Sequence, residues 1–481
     1  MSREKIFMKK QNDLRPFGLR DKIGYMFGDF GNDFTFILST ILLTKFYTDV
    51  MGISAAAVGT VMMIARFVDG FTDITMGRIC DRSKVTRAGK FKPWLLRMAI
   101  PTAVSSFIMY QHGLSYMSNA FKIGYFAFSY ILWGSFFYTS VNIPYGSMAS
   151  AISREPSDRQ SLSTFRTVGG MLAGVIIGTA LPLIAYTKNE QGVTVLLGER
   201  VTFAAGVFSV LAVISHFLCY YMVSERVVIS NEGADASRKK SALKAMLLGA
   251  LKNRALISII AASVVMLLAQ LTMQNMASYI YPDYYNNASA QSASTAIMAV
   301  SMLLAALAAK PLAERFGKAE VSAVSNIFAS AVSLVTFFAR PESVWVFCAL
   351  QGLNWLGLGV FSMVSWALIT DVIDYSELKN GVREDGAVYS MYSFARKLGQ
   401  ALAAGASGWL LTLIGYDTEA AREGVGQSAD VLSGIFGIST LIPALGFFLL
   451  ALVLWFWYPL RKKEVEKNVS ALKAKHEDGK T

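Results

Sequence analysis

Apolar runs long enough to cross a bilayer recur along almost the whole chain, and this recurrence restricts the fold more than any single motif. A spanning helix needs about 20 mostly apolar residues. Candidate spans lie at 22–50, 53–80, 92–112, 118–152, 159–187, 201–223, 254–284, 290–313, 320–339, 343–372, 385–415 and 430–458. These twelve runs predict an all-α membrane protein with twelve transmembrane helices. The first, fourth, seventh and tenth are long and carry polar residues, so they are expected to tilt or to extend past the hydrocarbon. Of the 481 residues, 54% are hydrophobic and only 16% are charged, against roughly 25% in soluble domains. A water-soluble chain of this size could not bury that much apolar surface. A soluble enzyme, a disordered scaffold and a collagen-like chain are excluded.

The net charge of +12 follows the loops. Arg82, Lys84, Arg87, Lys90 and Lys92 follow the second span, Arg238, Lys239, Lys240 and Lys244 fill the centre, Arg315 and Lys318 follow the eighth span, and Arg461, Lys462 and Lys463 open the tail. The intervening loops are poor in Lys and Arg, so both termini and the central loop are assigned to the cytoplasm. Topology accounts for the basic excess, and no nucleic-acid partner is expected. The expected organisation is a cytoplasmic N-terminal segment (1–21), a six-helix bundle (22–224), a cytoplasmic central loop (225–252), a second six-helix bundle (253–459) and a cytoplasmic tail (460–481). No cleavable signal peptide is expected ahead of Lys22. The halves read as repeats: Asp81-Arg82 followed by Gly89-Lys90 in one matches Glu314-Arg315-Phe316-Gly317-Lys318 in the other. Repeated halves of this kind suggest two bundles that rock about a central site.

Ionisable residues inside spans are costly, about 2.5–3.5 kcal/mol each on insertion scales, and are functional candidates by default. Asp33 lies in the first span; Asp69 and Asp73 lie in the second, four residues apart and therefore on one helix face. Three such carboxylates would cost on the order of 8–10 kcal/mol without partners. Either a structural pair with Arg66 relieves that cost, or a proton or hard cation does, with the hydroxyls of Thr72 and Thr139 as further oxygen donors. Sodium at Asp69 and Asp73 is the metal option. The fourth span ends in Tyr138-Thr139-Ser140-Val141-Asn142-Ile143-Pro144-Tyr145-Gly146-Ser147, whose phenol, hydroxyls and amide suit a polyol or, alternatively, a polar packing seam. Pro144 is expected to kink that helix. Arg166 in the fifth span is a charge partner for the aspartates or a clamp for an anion. Asp29 is open to a charge-pair role. Ser393 and Lys397 in the eleventh span, beside Arg396, and Trp366 in the tenth complete the expected substrate contacts.

No catalytic constellation appears. His112, His216 and His476 form no metal or catalytic pattern, Cys80, Cys219 and Cys348 have no C-x-x-C spacing, and there is no nucleotide-binding Walker loop. Neither an enzyme, an organic cofactor nor ATP drive is expected. Asn287-Ala288-Ser289 is a glycosylation sequon of low specificity.

Taken together, Gly28-Asp29-Phe30-Gly31-Asn32-Asp33, Ala65-Arg66-Phe67-Val68-Asp69 with Asp73, Gly89-Lys90-Phe91-Lys92-Pro93-Trp94, Asn142 to Ser147, Asp371-Val372-Ile373-Asp374-Tyr375 and Tyr389 to Lys397 resemble the glycoside–pentoside–hexuronide:cation symporters of the major facilitator superfamily. The resemblance runs from about Leu19 to Tyr458. It implies the major facilitator fold of two six-helix bundles and import of a glycoside with a coupling cation by alternating access. It implies sugar contact at Asp33, cation contact at Asp69 and Asp73, Thr139 and Lys397 beside the cation, and Arg166 in the binding region. Asn142 and Gly146 stand where melibiose-type members carry Asp and Trp, which points toward the glucuronide and pentoside branches. Thr72 stands where they carry Asn, which favours a proton over sodium. The expectation is a monomer in the inner (plasma) membrane that moves a glucuronide, hexuronide or pentoside. The alternatives are an uncoupled sugar facilitator and an amphiphile or lysolipid transporter.

Overall fold

The computed structural model describes residues 15–227, 253–380 and 385–478. The expected central loop, with Arg238, Lys239, Lys240 and Lys244, lies outside the described residues apart from its first three. Most of the N-terminal segment, and Arg383 and Glu384, also lie outside them.

The described residues form twelve long helical rods. The first six are α1 (Leu19–Lys45), α2 (Ala55–Arg82), α3 (Lys92–Ile108), a fourth rod made of α4 (Asn119–Ile131) and α5 (Thr139–Ile152), α6 (Pro156–Ala185) and α7 (Gly198–Met222). A two-stranded antiparallel hairpin, β1 (Tyr186–Lys188) and β2 (Thr194–Leu196), joins α6 to α7. The others are α8 (Arg254–Tyr279), α9 (Ser289–Phe316), α10 (Lys318–Ala339), α11 (Val344–Asn380), α12 (Asp385–Leu413) and, after the short α13 (Thr418–Arg422), α14 (Ala429–Leu452). The tail continues as α15 (Lys462–Asp478). Eight of the rods are long and apolar enough to cross a membrane by composition alone. Among the other four, α1 carries Asp21, Asp29 and Asp33, α3 is only 17 residues long, and the fourth rod is interrupted by a π turn. Large apolar side chains such as Phe71, Leu183, Phe203, Leu307 and Phe338 are more than half exposed, as expected of faces turned to lipid.

The chain divides into two compact units. One comprises the described part of Met1–Gly233 with Asn286–Ser292 and Gly408–Ser428; the other comprises the rest. In the first unit, α1 is gripped on two sides by close backbone approach. Gly24 and Gly31 face α7: a Cβ on either would come within 2.6 Å of Met222 Cβ or of the His216 ring. On the opposite side, Gly169 of α6 lies so near α1 that a Cβ there would stand 2.7 Å from the Met26 carbonyl oxygen. Small residues let helices pack this tightly where no hydrophobic force drives them together. The second unit has a continuous core that includes Ile259, Met266, Leu358, Phe361, Leu368, Phe447 and Leu450.

The fourth rod carries its irregularity ahead of its proline. The helix runs without interruption from Thr139 to Ile152 with Pro144 inside it. The irregularity is upstream, in a π turn at Leu132–Tyr138. Such widened turns often occur at functional sites.

The two halves repeat in geometry as well as in sequence. Gly89 and Gly317 both have left-handed φ, +117° and +101°, which favours glycine over any residue bearing a Cβ. Beyond each glycine a buried or partly buried helix start is tied to the chain that leaves the last rod of its half. Glu225 accepts the backbone N–H groups of Lys90, Phe91 and Lys92 at 2.7, 2.9 and 2.7 Å. In the second half, Glu320 accepts the N–H of Lys462 at 3.1 Å. A carboxylate at a helix N-terminus also answers the helix dipole.

Glu225→Ala strands three donors at a buried site. The expected loss is about 3 kcal/mol, from the strength of hydrogen bonds to charged acceptors. Glu225→Gln keeps one acceptor oxygen and should lose about half as much. Thermal unfolding in detergent, with tryptic cleavage at Lys84 and Arg87, measures both.

Candidate functional site

The polar residues of the first unit fall into two neighbouring clusters. The first is built on α1. Asp29 and Asp33 lie one helical turn apart, and both carboxylates border Gly170 of α6. A Cβ at 170 would come within 2.6 Å of Asp33 Oδ2 and 3.1 Å of Asp29 Oδ2, so the glycine makes their room. Asp29 is claimed by Arg166, whose Nε donates to Oδ1 at 2.9 Å. The guanidinium also lies over the Tyr145 ring, 5.1 Å from its centroid, in the range of a cation–π contact. Tyr145 is stacked on Tyr25 at 4.5 Å, and its hydroxyl donates to the Tyr25 carbonyl at 2.7 Å. The base under Arg166 is therefore rigid. Its outer edge is open: a Cβ at Gly146 would meet only Arg166 Nη1, at 3.7 Å, and the Arg166 side chain is 39% exposed. Asn142 of α5 reaches toward α1, where Asn32 Nδ2 lies 3.5 Å from its Oδ1. Tyr138 is stacked on Phe36 of α1 at 5.7 Å.

The second cluster joins α2 to the fourth rod. Ser135 and Thr139 are four residues apart, as are Asp69 and Asp73, and the two pairs face each other. Ser135 Oγ donates to Asp69 Oδ1 at 2.5 Å, and Thr139 Oγ1 donates to Asp73 Oδ1 at 2.9 Å. Arg66 Nη1 lies 3.3 Å from Asp69 Oδ2. Thr72 lies on the same helix, and its hydroxyl donates to the carbonyls of Asp69 and Val68 at 3.1 and 3.3 Å. These groups offer hard oxygen donors, the set that suits a proton or a small hard cation. Among the described residues no group of three or more His, Cys, Asp or Glu side chains could hold a metal ion.

In the second unit, Trp366 of α11 is 43% exposed and meets Tyr392 of α12 edge-on at 5.2 Å. The Arg396 guanidinium lies 5.8 and 5.9 Å from these two rings, and Tyr392 accepts a hydrogen bond from Ser263 Oγ at 2.9 Å. Ser393 and Lys397 are partly buried on α12, one turn apart. The structure thus brings Asp33, Tyr138, Asn142 and Arg166 into one neighbourhood, and Asp69, Asp73 and Thr139 into another. Trp366, Ser393 and Lys397 belong to the second unit.

Sequence reasoning missed several of the groups that complete these clusters. Ser135 is hidden in an aromatic run and becomes visible only once the π turn is known. Gly170 was foreshadowed by the Gly169-Gly170 pair. A buried triad was also missed: Lys45 Nζ lies 2.8 Å from Asp49 Oδ2 and 2.9 Å from the Tyr416 hydroxyl, which donates to Asp49 Oδ1 at 2.9 Å. The i, i+4 spacing of Lys45 and Asp49 was the available signal.

The family model for MFS/sugar transport proteins matches residues 24–462. An uncharacterised symporter of Bacillus subtilis (strain 168) is 32% identical over 464 residues, 96% of each chain. A glucuronide carrier protein homolog of Escherichia coli (strain K12) is 30% identical over 455 residues, 94% of each chain. Among solved structures, a D-xylose-proton symporter has a TM-score of 0.60 at 14% identity, covering 91% of this chain and 97% of that one, which supports the fold. The chain is therefore an all-α, multi-pass transporter rather than an enzyme, and it belongs to the glycoside–pentoside–hexuronide:cation symporter family of the major facilitator superfamily.

Proposed function

We propose that this sugar symporter imports an anionic glycoside of the glucuronide or hexuronide class together with a proton, by alternating access. The observation that carries the reading is Arg166. One nitrogen is committed to Asp29, the face is seated on Tyr145, and the outer edge beside Gly146 is open. A guanidinium held this way is suited to a carboxylate. Asp33 accepts sugar hydroxyls beside it, and Tyr138 and Asn142 add a phenol and an amide. The name of the Escherichia coli relative, a glucuronide carrier homolog, agrees with an anionic sugar.

The coupling ion is taken at Asp69 and Asp73, with Thr139 and Thr72 near it. A proton is favoured over sodium because the Thr72 hydroxyl is already turned to its own helix and Asp69 already holds two donors. Neutralising a carboxylate favours sugar, and sugar in turn favours the ion, because the coupling of two ligands is reciprocal. The protein works as a monomer in the inner (plasma) membrane with both termini in the cytoplasm.

Uptake into membrane vesicles tests the reading. 4-Nitrophenyl β-glucuronide, a methyl xyloside and melibiose are each offered under a pH gradient and under a sodium gradient. Accumulation of the glucuronide under the pH gradient is expected. Accumulation only of the xyloside would move the substrate to the pentosides, and accumulation only with sodium would change the ion. Asp69→Asn should abolish uphill accumulation while leaving equilibrative exchange; unchanged accumulation would make the pair structural and the protein an uncoupled facilitator. No flux of any sugar, with movement of a lysolipid, would replace the sugar reading with the amphiphile one.

Arg166→Gln should weaken glucuronide binding by about tenfold or more, the scale of a lost charge-assisted pair, with a much smaller effect on a neutral xyloside. Equal losses for both would remove the anion-clamp role.

Gly170→Ala places a methyl group against Asp33 and should reduce sugar affinity by about tenfold while costing 1–3 kcal/mol of stability at most, the usual range for overpacking. Equilibrium binding and thermal unfolding separate the two effects.

A further inference from the structure

The final rod ends in a polar arrangement that the transport chemistry does not use. After α14 the helix widens into a π turn, Val453–Trp457, and stops at Tyr458, whose backbone is extended. The last carbonyls of a helix have no intrahelical partner. Here two arginines take them. Arg254, the first residue of α8, donates from Nε to the Trp457 carbonyl at 3.1 Å and from Nη2 to the Phe456 carbonyl at 3.2 Å. Arg461, just past the rod, donates to the Trp455 carbonyl and lies over the Trp455 ring, 4.9 Å from its centroid. Cations at a helix C-terminus also answer its dipole. All of these residues belong to the second unit.

Capping leaves both guanidiniums underused. A guanidinium carries five N–H donors, of which Arg254 commits two and Arg461 one. Neither is paired with a carboxylate among the described residues, whereas Arg15, Arg66, Arg166 and Arg226 are each held by an aspartate. Arg254 is exposed and Arg461 partly so. Lys462 is turned elsewhere, to the carbonyls of Glu314 and Arg315. Around the two arginines stand three consecutive aromatics, Trp455, Phe456 and Trp457, which are 40%, 72% and 41% exposed. Exposed tryptophans at the end of a span mark the level of the lipid headgroups. Unpaired positive charge and bare aromatic surface therefore meet at one rod end.

We propose that Arg254 and Arg461, with Trp455, Phe456 and Trp457, form a binding site for one anionic phospholipid. The planar guanidinium forks match the oxygens of the headgroup phosphate, and the exposed rings lie against its glycerol and acyl chains. A zwitterionic phospholipid offers the same phosphate but sets an ammonium beside two arginines, so the anionic class is favoured. Both guanidiniums are fixed by backbone carbonyls, and this separates the site from the diffuse attraction of basic side chains to an anionic surface, which treats every exposed Lys and Arg at this end alike. The bound lipid completes a tie that the arginines begin, between the start of α8 and the end of α14. The proposal is independent of the sugar and of the coupling ion.

The test uses the purified full chain in phosphatidylcholine vesicles that contain a minor share of either brominated-chain phosphatidylglycerol or brominated-chain phosphatidylcholine. Bromine quenches nearby tryptophans, and the reporter is the fluorescence component lost in Trp457→Phe. Brominated phosphatidylglycerol should quench that component at a mole fraction about tenfold lower than brominated phosphatidylcholine, the scale of a hydrogen-bonded charge pair. Arg254→Gln and Arg461→Gln should each remove most of this preference. Lys463→Gln, the same charge change on an exposed neighbour, should leave it nearly unchanged. Equal quenching by the two lipids overturns the site. So does a preference that survives either arginine change, or one that Lys463→Gln reduces as much as they do, which is the signature of diffuse attraction. Loss of the preference in inorganic phosphate, but not in chloride of equal ionic strength, would assign the arginines to a free anion instead. The wild-type comparison and Lys463→Gln decide the matter if an arginine variant does not fold.

Discussion

A carboxylate placed at membrane depth is stabilised by a donor or a cation, and much of the first unit is arranged around this requirement. Each unanswered acid would cost about 2.5–3.5 kcal/mol on insertion scales. Asp29 is answered by Arg166, Asp73 by Thr139, and Asp69 by Ser135 and Arg66. Each of these links joins different rods or adjoining turns, so the polar contacts also fix which helices neighbour one another. Because the hydroxyls at 135 and 139 share the spacing of the carboxylates at 69 and 73, the fourth rod and α2 meet in register. A shift of one residue would turn a carboxylate away from its donor.

Such pairing requires backbones that can come close. The glycines of α1 admit α7, and Gly169 and Gly170 of α6 admit α1 together with its two carboxylates. The same requirement accounts for the π turn at Leu132–Tyr138. It lies between the apolar first part of the fourth rod and its polar second part, and Ser135 within it reaches Asp69. Small residues and the widened turn thus do for the polar site what large apolar side chains do for the core of the second unit.

Much of this was legible in the sequence. Twelve rods were expected and twelve are present among the described residues, because apolar length is a direct signature of a span. The repeated Gly-Lys loops were legible too, and their left-handed glycines give the repeat a geometric basis. The i, i+4 spacing of Asp69 and Asp73 correctly placed them on one face. What remained hidden was partnership across the fold. Ser135 stands within Leu-Trp-Gly-Ser-Phe-Phe-Tyr, where nothing local distinguishes a donor from a packing residue. Tyr416 is more than 360 residues from Lys45 and Asp49, and no periodicity connects them. The π turn at Leu132–Tyr138 was not foreseen either, because the local signal for irregularity in this rod is Pro144, which lies downstream inside a continuous helix. The tail helix α15 went unforeseen because the tail was assigned only by its charge, as a cytoplasmic segment.

The sequence left open whether the second-span acids serve structure or ion coupling, and a structural partner alone does not decide between them. On the proposed coupling role, a carboxylate at this depth still needs a partner whenever the ion is absent, so such a site contains a structural answer to its own empty state. The clamp on Asp21 is of another kind, with both carboxylate oxygens held by two arginines. Asp69 is held more loosely, by a long single contact from a cation that also rests against two aromatic rings. The structural contact and the proposed coupling role therefore fall on the same carboxylate, and one does not exclude the other.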